Sequence, residues 1–274
     1  MTPSLNNGAE GIRRADILYE KQDGVALATL NRPDALNAFR QSTLQEFLQI
    51  LADVAADSQI RVLAVTGNGR AFSAGRDLKE LALSGGDSSA QHMEEELKLL
   101  QNITQQMMKL SKVLIAAING IAVGLGAEIA IACDIRVASE NAVLGFPEAQ
   151  RGLFVTNGVT YFLPRLVGMG RATEWLLTGE TISAPEALHA GLVTHVVPSE
   201  ALMKFAMNLS HKITANAPIS IRLIKQAMQK TYKLDLEAAM QFETNGVLEC
   251  HDSEDFLEGV RAFVEKRVPV YRGR

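Results

Sequence analysis

The chain has 274 residues, of which 47% are hydrophobic and 21% are charged, and its formal net charge is −4. This balance is typical of a globular protein with a substantial core, and a negative charge without any basic run argues against nucleic-acid binding. The two cysteines and five histidines form neither a disulfide framework nor a metal-ligand spacing, so we expect no metal site.

The N-terminal segment MTPSLNNGAEGIRRAD has no apolar core of the kind that a signal peptide carries. No stretch of the sequence is apolar for long enough to span a bilayer. We therefore expect a cytoplasmic protein with no membrane partner.

Short apolar runs and helical patterns alternate in the first 200 residues. Strands are predicted at 17–19, 25–30, 62–66, 113–118, 135–138, 142–145 and 193–197. Helices are predicted at 42–55, 91–110, 127–133, 157–166, 171–178 and 184–190, and a loop at 85–90.

After Pro198 the pattern changes to helices alone, predicted at 199–214, 219–232, 235–250 and 253–266. Strands mixed with helices, followed by helices only, predict an α/β core and then a helical appendage. We place the domain boundary near residue 200, which gives a core at 1–200 and a helical region at 201–274.

The most informative stretch is Lys112–Asp134, where an apolar strand runs into a glycine-rich turn at 124–126 and then into a second apolar segment. Glycines let the backbone approach a ligand closely, and the first N–H groups of a helix are free to face negative charge. One acid, Glu128, lies on the first turn of this apolar helix. It is either a helix-start charge or a catalyst, because a buried carboxylate needs a partner or a function.

Two further features could belong to the same site: the backbone around Ala74-Gly75-Arg76, and Glu148, which lies in a turn after a short strand. Two converging N–H groups make an oxyanion hole, and two carboxylates beside it can move protons on adjacent carbons. Together they suit enolate chemistry next to a thioester carbonyl. Each feature also has a purely structural explanation, since glycine turns are common, Glu148 could be a solvated loop acid, and Arg76 and Asp77 could form a surface pair.

A strand, a glycine turn and a helix also begin a dinucleotide-binding site, so that alternative has to be weighed. Such a site carries G-x-G-x-x-G or a final alanine. Here Ile129 stands at the last position and is too large for the close helix packing that glycine allows. Glu128 would also set a negative charge near the pyrophosphate, so the dinucleotide interpretation is disfavoured.

The order and spacing of several motifs resemble the enoyl-CoA hydratase/isomerase family, also called the crotonase superfamily, from about Val25 to Arg267. The motifs are LNRPDALNAF (30–39), AFSAGRDLKE (71–80), VLIAAINGIAVGLGAEIAIACDIRVAS (113–139), LGFPEAQRG (144–152), LLTGETISAPEALHAGLVTHVVP (176–198) and FVEKR (263–267). The resemblance implies an α/β crotonase-like (ClpP/crotonase) spiral of strand–strand–helix units. It also implies a C-terminal helical region that assembles a homotrimer, often as a dimer of trimers.

The resemblance also assigns roles to residues of this sequence. The backbone N–H groups of Arg76 and Leu125 fall on the oxyanion-hole positions, and Glu128 and Glu148 match the two acids of the hydratases. In that mechanism both acids hold one water; Glu128 helps activate it for attack on the β-carbon, and Glu148 delivers a proton to the α-carbon. The positions implied to contact substrate or CoA are Ala74, Gly75, Asp77, Leu78, Lys79, Gly124, Phe263 and Lys266, the last two meeting the CoA of a neighbouring subunit.

Three positions depart from the family pattern and bear on the acyl group. Leu125 replaces the middle glycine of the central turn and would narrow the acyl pocket. Arg76 replaces a small residue and could reach a polar acyl group, a CoA phosphate or an acid. The segment 155–163 replaces the glycine-rich helix start of relatives. This departure weakens the expectation that the substrate is a simple short-chain enoyl-CoA.

Both acids together favour the reversible syn hydration of a trans-2-enoyl-CoA to a 3-hydroxyacyl-CoA, a hydro-lyase reaction. The alternatives are double-bond isomerisation or other enolate chemistry on an acyl-CoA and, in a different class, non-catalytic binding of an acyl-CoA. The resemblance implies no metal and no redox cofactor, because CoA enters as part of the substrate.

Overall fold

The computed structural model describes residues 12–13, 16–83, 90–230 and 233–274. Apart from Ala90, the loop predicted at 85–90 lies outside these residues. The strands are β1 (Ile12–Arg13), β2 (Ile17–Gln22), β3 (Val25–Leu30), β4 (Val62–Gly67), β5 (Ala71–Ser73), β6 (Val113–Ile118), β7 (Ile121–Val123), β8 (Ile135–Ser139), β9 (Val143–Gly145), β10 (Thr181–Ser183) and β11 (His195–Val197).

The helices lie between and after these strands. They are α1 (Gln41–Ala56), α2 (Leu78–Leu83), α3 (Ala90–Lys109), α4 (Leu125–Ala132), α5 (Val159–Val167), α6 (Met169–Thr178), α7 (Ala184–His189), α8 (Leu202–Thr214), α9 (Pro218–Lys230), α10 (Leu236–His251) and α11 (Glu254–Glu265). Among the described residues, no helix combines the length and the apolar character that crossing a membrane requires.

The larger sheet is mostly parallel and is covered on both faces. Its strand order is β1-β2-β3-β4-β6-β8-β11, and every neighbouring pair from β3 onward is parallel. All six residues of β6 are buried. Leu114 packs into the main core on one face, and Val113 packs with Leu202 of α8 on the other. The unbroken apolar run at 113–118 is therefore explained by a parallel strand with no exposed side.

A second, smaller sheet has the strand order β10-β9-β7-β5. The chain runs from β4 to β5 and then into helix, from β6 to β7 and α4, and from β8 to β9 and then into helix. Successive units add parallel strands to both sheets, as β5 pairs with β7 and β7 with β9. The predicted α/β spiral of strand–strand–helix units is therefore confirmed.

The structure corrects the sequence prediction at several elements. Strands β1, β5, β7 and β10 were not predicted, because two or three residues are too few to show a strand period. Helix α4 begins at Leu125 rather than Ala127. Helix α5 begins at Val159 rather than at 157, because Asn157 and Gly158 have φ angles of 49° and 78° and form a left-handed turn before it.

The C-terminal helices differ in how they meet the core. Helix α8 covers the larger sheet through Leu202 and Ala206, which are buried. Helices α10 and α11 carry large exposed apolar side chains: Leu236, Met240, Val247, Leu248, Phe256, Leu257, Val260, Phe263 and Val264. A run of this kind on the surface marks an interaction face. The predicted boundary near residue 200 falls in the short turn Ser199–Ala201, and the division at that point stays a prediction.

Candidate active site

The loop after β5 is fixed so that one backbone N–H stays free. The N–H of Phe39 donates to the carbonyl of Gly75 (2.7 Å), and the N–H of Asp77 donates to the carbonyl of Phe39 (2.9 Å). Between these two bonds, the N–H of Arg76 meets no acceptor among the described residues. Gly75 has a φ of 93°, and a Cβ there would come within 2.9 Å of the carbonyl oxygen of Val123. The loop therefore requires glycine at this position.

The second free N–H belongs to Leu125, the first residue of α4. The N–H groups of a first helical turn have no partner within the helix, and within the described ranges that of Leu125 has none elsewhere. Gly124 precedes it with a φ of 55°. A Cβ on Gly126 would lie 2.4 Å from the carbonyl oxygen of Ser73, so the start of α4 and the end of β5 pack backbone against backbone. The N–H groups of Arg76 and Leu125 thus belong to two segments in direct contact.

Glu128 is buried, and its carboxylate is held by three donors. The backbone N–H of Thr156 donates to Oε1 (2.9 Å), while the Thr156 hydroxyl and the Asn157 side-chain amide each donate to Oε2 (2.8 Å). Only 2% of the residue is exposed. A carboxylate removed from water needs such donors, and hydrogen bonds to a charged acceptor are the stronger ones.

Glu148 has the opposite environment. It precedes the short turn Ala149–Arg151, and its Oε1 faces Gly124, where a Cβ would lie 3.1 Å away. Its Oε2 is buried and, within the described part of the chain, accepts no hydrogen bond. Burial, and to a smaller extent the nearby charge of Glu128, raises the pKa of Glu148 to about 7. This favours a protonated carboxyl at neutral pH.

Both carboxyl groups line one cavity of about 180 Å³. Among the residues singled out in the sequence, those that line it are Ala74, Gly75, Arg76, Leu78, Gly124, Leu125, Glu128 and Glu148. The residues with the free N–H groups and the two carboxyls therefore line one cavity. Two carboxyls in such different environments are the arrangement of an acid and a base.

Helix α3 supplies part of the cavity wall that the sequence alone did not reveal. Met93, Leu97 and Leu100 line the cavity and recur at helical spacing, which is the signal that could have indicated them. Glu96 of the same helix forms an ion pair with Arg76. The Arg76 guanidinium also donates to the carbonyl of Phe39 (3.0 Å). The side chain of Arg76 therefore joins the loop after β5 to α3.

A larger cavity of about 420 Å³ lies among α4, α5, α8 and α9. The one acid on its wall, among the described residues, is Asp134, which pairs with Lys225 (2.8 Å) and accepts from the N–H of Leu114 (2.8 Å). Cys133 also lines it, but burial raises the pKa of this thiol to about 12, so it is not a nucleophile. The smaller cavity is therefore the candidate active site.

Four of the residues that the resemblance implied to contact substrate or CoA do not line the cavity: Asp77, Lys79, Phe263 and Lys266. Asp77 forms an ion pair with Arg32 (3.0 Å) and accepts from the N–H of Lys79 (3.2 Å), so it holds the start of α2. Phe263 and Lys266 lie at the far C-terminus, on α11 and just after it, and Phe263 is 85% exposed. The roles of these four residues in substrate binding stay predictions.

Known proteins of one family resemble this chain in sequence and in fold. A sequence profile described as "Enoyl-CoA hydratase/isomerase" matches residues 20–274. The chain is 39% identical to the short-chain-enoyl-CoA hydratase of Clostridium acetobutylicum, over 92% of this chain and 95% of that protein. It is 36% identical to the 2,3-dehydroadipyl-CoA hydratase of Escherichia coli, over 95% of this chain and 100% of that protein. The crystal structure of an enoyl-CoA hydratase from Bacillus anthracis superposes with a TM-score of 0.90 at 37% identity, covering 94% and 100% of the two chains.

Proposed function

The chain belongs to the enoyl-CoA hydratase/isomerase family, and we infer that it is an enoyl-CoA hydratase. It adds water reversibly to a trans-2-enoyl-CoA and gives a 3-hydroxyacyl-CoA. One observation carries the assignment: a carboxylate held by three donors and a carboxyl with a raised pKa share one cavity with two free backbone N–H groups. The names of the relatives support the same reaction.

The thioester oxygen binds between the N–H groups of Arg76 and Leu125. Negative charge develops on this oxygen when water attacks the β-carbon, because the electron pair of the double bond moves toward the carbonyl. Donors that are already oriented stabilise this enolate without reorganising. Because the donors are backbone groups, the large side chains of Arg76 and Leu125 are compatible with the role.

The two carboxyls divide the proton transfers. Ionised Glu128 accepts a proton from the water as its oxygen bonds to the β-carbon. Protonated Glu148 then gives its proton to the α-carbon as the enolate collapses. The proton that Glu128 took from water afterwards returns to Glu148, which restores the starting state of both acids. Each transfer of this kind is typically worth about 10²–10⁴ in rate. The reaction needs no cofactor, since only water and protons move and CoA is part of the substrate.

The acyl chain lies against apolar side chains of the cavity, among them Leu97, Leu100 and Leu125. The ion pair between Arg76 and Glu96 forms a polar part of the same wall. An apolar enoyl group is therefore the substrate class that the cavity fits best. The guanidinium of Arg76 is already neutralised by Glu96, so it does not demand an acidic acyl group.

A homotrimer, or a hexamer made of two trimers, is the proposed assembly. Exposed apolar side chains on α10 and α11 support it, because such a surface is unfavourable in a lone monomer. In that assembly the helical region at 201–274 mediates the contacts, and Phe263 and Lys266 meet the CoA of a neighbouring subunit.

The test is a hydration assay that follows loss of the enoyl-thioester absorbance. Short, long, branched and aromatic 2-enoyl-CoAs are compared, with Glu128→Gln and Glu148→Gln beside the parent. We expect turnover of at least one substrate by the parent and its loss in both variants. Unimpaired hydration in Glu148→Gln would contradict the mechanism. Turnover of a 3-enoyl-CoA without hydration of any 2-enoyl-CoA would instead indicate an isomerase.

A further inference from the structure

Two neighbouring residues in the segment that departs from the family pattern hold Glu128. Thr156 lies 28 residues after it and contributes both a backbone N–H and a hydroxyl, one to each carboxylate oxygen. The side-chain amide of Asn157 contributes the third donor. The same amide also donates to the Thr156 hydroxyl (2.9 Å), so the two side chains support each other.

Thr104 of α3 fixes the direction of this network. Its hydroxyl bonds to Oδ1 of Asn157 (3.1 Å), and both residues are buried. An ionised carboxylate only accepts hydrogen bonds, so the NH₂ end of the Asn157 amide must face Glu128. The carbonyl end then faces Thr104, which donates to it. Asparagine also suits the φ of 49° at this position better than most residues do.

The network restricts what Glu128 can still bind. A carboxylate has about four acceptor positions, and three are occupied: one on Oε1 and two on Oε2. One position, on Oε1, is left for the reacting water. Glu148 lacks such a set of donors, since its Oε2 accepts no hydrogen bond within the described part of the chain. The known donors of the acid pair are therefore concentrated on Glu128.

We propose that Thr156 and Asn157 are positioning residues that aim the Glu128 carboxylate and place the single proton of the acid pair on Glu148, with Thr104 holding the Asn157 amide. This rests on the proposed hydratase function and explains a departure from the family pattern in segment 155–163. The segment replaces a glycine-rich helix start with residues that hold a catalytic carboxylate.

The experiment compares Thr156→Val, which removes the hydroxyl and keeps the backbone N–H, with Thr156→Ser, which keeps both. Hydrogen bonds to charged groups contribute enough that we expect kcat to fall about 10- to 100-fold in Thr156→Val, with KM changed less than about 3-fold by the same reasoning. Thr156→Ser should retain most activity. Thr160→Val, at an exposed position of the same helix start, is the control and should match the parent.

The pH profile separates positioning from a merely structural role. In Thr156→Val the acidic limb of kcat/KM should move to higher pH, because the ionised form of Glu128 loses a donor. The other charged groups that face this cavity are Arg76, Glu96, Glu148 and Arg151, and none of them is changed. An unshifted pH profile would overturn the proposal. A kcat of Thr156→Val within about twofold of that of Thr156→Ser would also overturn it.

A second readout does not depend on turnover. Infrared difference spectra between acidic and neutral pH detect protonated carboxyls, and Glu148→Gln and Glu128→Gln assign their bands. In the parent, we expect a protonated-carboxyl band near neutral pH that Glu148→Gln removes and Glu128→Gln leaves in place. In the Thr156→Val background, each of these two substitutions should remove part of the band. A parent band that belongs to Glu128 would refute the proposal even if no substrate were turned over.

If Thr156→Val does not fold, the pH profile and the infrared spectra are measured on Thr104→Val instead. This variant should show smaller shifts in the same direction. An inactive parent with the expected bands would count against the hydratase assignment alone.

Discussion

Gly75 and Leu125 lie so close that a Cβ on the glycine would come within 3.2 Å of the leucine backbone nitrogen. That nitrogen carries one of the two free N–H groups of the site, and the next residue after Gly75 carries the other. The contact means that the two donors are positioned by one packing relationship between two loops. A change at Gly75 therefore disturbs both donors together.

Gly75→Ala should lower kcat by about 10²–10³, the usual effect of losing one oxyanion donor. The methyl group would push the loop away from Val123 and Leu125, and alanine is strained at a φ of 93°. Gly168→Ala is the matched control, because Gly168 also has a positive φ, 83°, but nothing lies within 4 Å of the position that its added methyl group would take. If both variants lose the same activity, backbone strain and not the oxyanion geometry is responsible.

Arg76→Gln should reduce kcat far less than Gly75→Ala, because residue 76 acts through its backbone N–H. We expect a loss of no more than about 10-fold, together with a changed preference among acyl groups, since the ion pair with Glu96 forms part of the cavity wall. Lys98→Gln removes a solvent-exposed ion pair with Glu94 on the same helix and should leave activity unchanged. A loss in Arg76→Gln as large as that in Gly75→Ala would show that the side chain itself takes part in the reaction.

The pH dependence of hydration should show an alkaline limb near the pKa of Glu148, which is about 7. Glu148 must be protonated to supply the α-proton, so kcat/KM falls as pH rises through this value. The reaction consumes no proton overall, so the ratio of kcat/KM in the two directions cannot depend on pH. Dehydration should therefore show the same limb. Different limbs in the two directions, measured on one preparation, would contradict the assignment.

Glu148 also makes stability depend on pH. Its folded-state pKa of about 7 lies above the ordinary value of 4.5, so the native state binds the proton more tightly than the unfolded state does. Its contribution is favourable below about 4.5 and is lost as pH rises through 7. The Tm of Glu148→Gln, relative to the parent, should therefore increase between these values and then level off. Glu174→Gln, at an exposed position of α6, should show no such trend in thermal unfolding.

Val264→Asp should weaken the proposed trimer. Val264 is 74% exposed on α11 beside Phe263, within the apolar stripe of that helix. A charge there is costly if the stripe is buried between subunits and harmless if it faces water. Light scattering after gel filtration should show a smaller mass than for the parent, with hydratase activity reduced as Phe263 and Lys266 are lost from the neighbouring site. Arg261→Asp, on the same helix, tests whether any added acid has this effect.

The long elements could be predicted because their residues carry the signal themselves. The run at 113–118 is apolar throughout, and the strand it predicted has these bounds. The helix predicted at 42–55 occurs at Gln41–Ala56 for the same reason, since Leu44, Phe47 and Leu51 recur on one buried face. The glycine-rich turn, together with the family resemblance, pointed to the loops that carry the candidate donors.

The sequence by itself determined most strands of the larger sheet, the order of the long helices and the family. Only the tertiary structure decided the smaller sheet, because strands of three residues exist through pairing with distant partners, as β5 does with β7. It also decided the surroundings of the two acids. Glu128 receives its donors from residues 28 and 29 positions away, and Glu148 is enclosed where no donor of the described chain reaches Oε2. Protonation depends on the local environment, which packing creates from segments that are remote in the chain.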